Sequence, residues 1–188
     1  MLMLKQTHYD KILSAALTVF HERGFHDSGT QEIVTLAGVS KGSFYNHFKS
    51  KDALGLAVLE HYWDSHQSSL KLLKTPGQKP LQRIETYFKS VAYDENGCLI
   101  GNFSTELAGE DVFRKRLAKV FNTWVASIAD CISDGQKDGS IRSNEDAVTL
   151  AEFVTTSYEG AILKAKVDRD PAVIERFRRS IIMFLRGD

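Results

Sequence analysis

The chain has 188 residues, 43% of them hydrophobic, with 24 lysines and arginines balanced by 24 aspartates and glutamates. That length can bury a substantial core and hold more than one module, while the neutral balance excludes a nonspecific nucleic-acid coat. Met1-Leu2-Met3-Leu4 is too brief for the apolar part of a secretion signal and Ile181 to Leu185 too short to span a bilayer, so a cytoplasmic protein without membrane association is expected.

In chain order, Leu13, Ala16, Leu17 and Phe20 recur at helical spacing and predict an amphipathic helix from about His8 to Arg23, closed by Gly24 as a left-handed cap. Ser28 with Gln31 reads as a capping box opening a second short helix, with Ile33, Leu36 and Ala37 facing inward. Gly38 supplies a tight turn into a third.

The third segment, Val39 to Lys51, joins two patterns. Phe44 and Phe48 stand one turn apart and with Val39 form an apolar floor, while Lys41, Ser43, Tyr45, Asn46 and His47 project outward. Lysine charge, short hydroxyl and amide groups and an aromatic hydroxyl suit a surface of phosphates and base edges. From Lys41 through Lys51 there are three lysines and no carboxylate, a local charge large enough for salt-dependent binding in a neutral chain.

Helical periodicity continues through Ala53 to Leu73, Leu81 to Tyr93, Val112 to Ile132, Ala147 to Lys166 and Pro171 to Leu185, without period-two alternation. Thr75-Pro76-Gly77, Asn96-Gly97, Gly135 to Ser140 and Asp168 to Asp170 read as short linkers, so the fold class is all-α. Cys98 and Cys131 are read as free thiols, since two cysteines make no disulfide framework. The six histidines lie before Gln67 without ligand spacing, so no metal site is expected. No phosphate-cradling glycine loop, nucleophile elbow or zinc-protease helix occurs; neither catalysis nor a cofactor is expected.

Glu32-Ile33, Ala37-Gly38-Val39-Ser40, Gly42, Tyr45, His47-Phe48 and Lys51, in order over about Leu13 to Leu59, resemble the N-terminal signature of the TetR family of bacterial transcriptional regulators. The resemblance implies a homeodomain-like three-helix DNA-binding domain at 1–50 and a helical effector-binding and dimerisation domain at 51–188, about nine helices in all. It places Lys41, Gly42, Ser43 and Asn46 nearest base edges, and Ser40, Tyr45, His47 and Lys51 on phosphates. Gly29 departs from the pattern, because members often carry a phosphate-touching hydroxyl there.

Gly97-Cys98-Leu99-Ile100-Gly101-Asn102, with Lys41 to Tyr45, Gly160-Ala161, Leu163 and Ala165-Lys166, resembles the branch holding repressors of N-ethylmaleimide reductase and of acrylate utilisation. That resemblance implies an electrophile-sensing Cys98 partnered by Lys166; the residues alone also read as a small apolar filler beneath a glycine-rich turn, as buried cysteines usually are. Noncovalent induction is the second reading, with Trp63, Phe88, Tyr93, Phe103, Phe113, Phe121, Trp124 and Tyr158 on helices that surround a ligand cavity in this family. Phe153, Ser157, Gly160, Ala161 and Lys164, with Phe177, Ile181 and Phe184, form stripes fit for a homodimer, whose two recognition helices would be spaced about 34 Å apart on a palindromic operator. The expected partners are thus double-stranded DNA, a small effector and a second copy; a helical enzyme or protein-interaction module is the alternative from another class.

Overall fold

The computed structural model describes residues 7–91 and 93–187. Among them nine α-helices and one 3-10 turn occur and no strand, so the all-α expectation holds. Met1-Leu2-Met3-Leu4 lies outside the described residues. Among the described residues no helix is long and apolar enough to cross a membrane.

The chain forms two compact units, one of Met1–Asp64 with Leu99–Arg114, the other of Ser65–Cys98 with Lys115–Asp188. In the first, α1 (His8–Arg23) packs on α2 (Thr30–Ala37) and α3 (Lys41–His47), beside the start of α4 (Lys51–Leu70). Thr7 opens α1 through a reciprocal capping box with Asp10, and those hydrogen bonds hold the Asp10 carboxyl below its ordinary range. Gly24 ends α1 at φ 85 and ψ 169, a glycine conformation other than the expected left-handed cap. Gly38, at φ 63 and ψ 38, is the left-handed turn into α3.

Two local expectations are corrected. Ser28 caps nothing: its buried hydroxyl donates to the carbonyls of Gly24 and Val19, and Gly29 is the residue that precedes α2. Leu36 is 57% exposed, because the inward stripe of α2 runs through Ile33 and Val34 instead.

The second stretch of this unit is α6 (Leu99–Leu107), which packs on α1. The Glu106 carboxylate accepts from the backbone N–H of Phe25 at 3.1 Å and of His26 at 2.8 Å. A Cβ on Gly24 would stand 2.6 Å from Glu106 Oε1, so glycine there serves close approach as well as positive φ. Phe103 meets Phe20 and Phe25 at centroid distances of 5.9 and 5.8 Å, and Phe113 completes the cluster.

In the other unit, α5 (Pro80–Ser90) and α8 (Ala147–Asp168) both pack on α9 (Ala172–Arg186). Helix α7 (Asp111–Asp138) runs straight through Gly135, which is therefore no linker: the Ile141 side chain folds back to 2.6 Å from where its Cβ would be. Helix α5 stops at Ser90, so Tyr93 lies in the following loop and donates its hydroxyl to the Ala165 carbonyl at 3.4 Å.

Candidate nucleic-acid interface and effector site

Helix α3 is only seven residues long, so its packing, more than its own propensity, holds it in place. Phe44 and Phe48 are buried and contribute about 1.5–3 kcal/mol each through removal of apolar surface from water. Ser40 caps the helix by accepting from the Ser43 N–H at 3.1 Å, which leaves its own hydroxyl proton available outward. Lys41, Gly42, Tyr45, Asn46 and His47 are exposed together on the opposite side, with Ser43 half-buried at its edge. A methyl on Gly42 would meet only Ser40 Oγ, at 3.8 Å, so the fold itself does not require glycine at this surface.

Lys51, in the first turn of α4, donates to the His26 carbonyl at 3.2 Å and lies 4.5 Å from the centre of the Phe25 ring. Partial burial lowers its pKa, opposed by Asp52 and Glu106. It braces the loop between α1 and α2 while standing where the helix dipole attracts an anion.

The expected pocket residues separate. Trp63, Phe103 and Phe113 belong to the unit that holds α3, whereas Phe88, Tyr93, Phe121, Trp124 and Tyr158 belong to the other. Phe103 is thus corrected from pocket lining to core, because α6 carries it onto Phe20 and Phe25. Within the second unit Phe88, Tyr158 and Phe177 pack mutually at 5.1–5.3 Å, and Trp124 meets Tyr158 edge-on at 5.9 Å.

Polar atoms are set into this aromatic cluster. Burial pushes the hydroxyls of Tyr87 and Tyr158 above the ordinary phenol range, so both stay protonated. Burial likewise raises the Glu159 carboxyl, opposed by a hydrogen bond from the Cys98 side chain. Glu159 Oε1 and Trp124 Nε1 are buried without a hydrogen-bond partner, the indole N–H facing the Tyr87 hydroxyl without closing on it. Cys98, half-buried directly before α6, therefore faces Glu159, Tyr87 and Tyr158, while Lys166 is exposed farther along α8. Sequence patterning does not single out Tyr87 and Glu159: the helical neighbours of Glu159 include Glu152, Thr155 and Thr156, so no lone polar residue marks that stripe. Cys131 donates to the Pro80 carbonyl at 3.4 Å, and burial pushes its thiol up to about 12, which suppresses the reactive thiolate.

The dimer stripe also divides. Phe153 and Phe184 meet at 4.9 Å and are 50% and 46% exposed, with Gly160 and Lys164 exposed beside them and Ser157 and Ala161 half-buried. Ile181 is corrected to intramolecular core, being buried within the single chain, while Phe177 is half-buried and packs on Phe88 and Tyr158.

A capped recognition helix turned out from a three-helix head, with an aromatic unit carrying buried polar groups, defines a helix-turn-helix DNA-binding protein with a separate sensing module. Residues 12–58 match the family described as bacterial regulatory proteins, tetR family, and residues 80–181 match the tetracyclin repressor-like C-terminal domain. The chain belongs to the TetR family of transcriptional regulators; it is a DNA-binding regulator, not an enzyme. It is 41% identical to the HTH-type transcriptional repressor DhaR of Mycobacterium sp. strain GP1, over 85% of this chain and 82% of that protein. It is 31% identical to the transcriptional regulator AcuR of Cereibacter sphaeroides, over 92% and 82%. The crystal structure of the reduced form of Escherichia coli NemR superposes with a TM-score of 0.83 at 26% identity, covering 93% of this chain and 95% of that one.

Proposed function

We propose that the chain is a cytoplasmic, homodimeric repressor that reads a palindromic operator with α3 and leaves it when a small electrophile modifies Cys98. The single observation carrying this reading is the position of the Cys98 thiol: it stands against Glu159, Tyr87 and Tyr158 and directly before α6, whose Glu106 grips the loop after α1. Addition of the thiol across an activated double bond adds bulk among those groups and shifts the start of α6, biasing the DNA-binding head toward a state of lower affinity. Relatives named as repressors, NemR among them, support this direction.

Within this reading Lys41, Gly42, Ser43 and Asn46 approach base edges, and Ser40, Tyr45, His47 and Lys51 hold phosphates. The DNA-reading function falls within 1–50 and sensing and dimerisation within 51–188, with Lys166 a second candidate for tuning the thiol. The test is a gel shift on the duplex upstream of the chain's own gene, with and without N-ethylmaleimide. Release of the wild type and retention of Cys98→Ser are expected; equal release of both overturns the covalent mechanism.

The unpartnered Trp124 Nε1 and Glu159 Oε1 favour a second reading, in which a noncovalent effector with both a hydrogen-bond acceptor and a donor lies among Phe88, Phe121, Trp124 and Tyr158. Release by such a compound that persists in Cys98→Ser distinguishes it.

A further inference from the structure

Two consecutive residues at the start of α1 bracket the recognition helix. His8 Nδ1 lies 2.8 Å from the Ser43 hydroxyl oxygen at one end of α3, while Tyr9 stacks on Phe48 at 5.0 Å and meets the His47 ring edge-on at 6.0 Å at the other. Neither position is left to a frayed terminus. The Thr7–Asp10 capping box fixes the backbone where both side chains depart.

We propose that His8 is a specificity-determining positioning residue, which fixes the hydrogen bond that Ser43 offers to a base edge; this rests on the reading of α3 as the DNA-contacting helix. A serine hydroxyl has one proton to donate and two lone pairs to accept with. His8 is exposed; in the proposed arrangement its Nε2 donates to water and its Nδ1 accepts from the Ser43 hydroxyl. The Ser43 proton is then committed to His8, and its oxygen faces the major groove as an acceptor. That oxygen suits the amino groups of cytosine N4 and adenine N6, and not guanine O6 and N7 or thymine O4. Without His8 the hydroxyl rotates freely and serves either kind of base.

The full-length protein, its His8→Ala, His8→Asn and Ser43→Ala variants, and the double alanine variant are used to enrich duplexes from a randomised library. The wild type is expected to restrict one position per half-site to cytosine or adenine. His8→Ala relaxes that same position by about three- to tenfold, as Ser43→Ala does, and the double variant relaxes it no further. His8→Asn, with an amide oxygen near the place of Nδ1, restores the restriction. The salt dependence of binding stays unchanged throughout, because His8 is assigned no phosphate. Unchanged base preference in His8→Ala, relaxation at a position other than that of Ser43, a wild-type preference for guanine or thymine there, or a uniform loss across all duplexes overturns the assignment. Failure of the wild type to enrich any duplex overturns the DNA-reading assignment of α3 itself, and His8 with it.

Discussion

At the scale of single residues, Glu159 carries a pH consequence. Burial lifts its carboxyl above the ordinary 4.5, with the Cys98 hydrogen bond opposing the rise. A carboxyl raised in the folded state stabilises the fold fully below its unfolded value and loses that contribution as pH climbs through the folded one. In calorimetric melting, Glu159→Gln is therefore expected to gain stability relative to the wild type as pH rises from about 4.5; parallel melting profiles contradict the assignment. Residue identity alone suggested Cys98, but its surroundings depend on which helices meet. Lys166 shares α8 with Glu159, and only the packing separates the carboxyl facing the thiol from the exposed lysine.

At the scale of elements, helical periodicity was legible wherever a helix buries one stripe, as in α1, α3 and α9. It failed where a remote side chain decides the outcome. Gly135 reads as punctuation yet lies inside α7 because Ile141 needs its space, and Ser28 reads as a cap yet serves the carbonyls behind it. Gly55, within α4, is the same lesson with an energetic sign: a Cβ there would stand 2.6 Å from Phe25 and 3.1 Å from Phe113. Alanine ordinarily gains about 0.5–1 kcal/mol over glycine inside a helix. Here the two rings must move, and Gly55→Ala is expected to destabilise by roughly 1–3 kcal/mol in denaturant unfolding; a stabilised variant contradicts this packing.

For the whole molecule, the separation of reading from sensing was legible in the motif around Val39 to Lys51 and in the length that follows it. The exposed pair Phe153 and Phe184, with the small residues beside them, locates the proposed twofold contact on α8 and α9. Phe153→Asp is expected to sediment as a monomer at micromolar concentration and to lose palindrome binding; a stable dimer moves the contact elsewhere. The regulator itself is tested most directly by fluorescence anisotropy on the duplex upstream of its own gene, at stepped salt concentrations. Affinity should fall steeply and linearly on logarithmic axes, and Lys51→Ala should make the slope shallower by about one, for the phosphate that the lysine no longer neutralises. Affinity indifferent to salt, or no binding at the lowest salt, contradicts a regulator that reads DNA through α3.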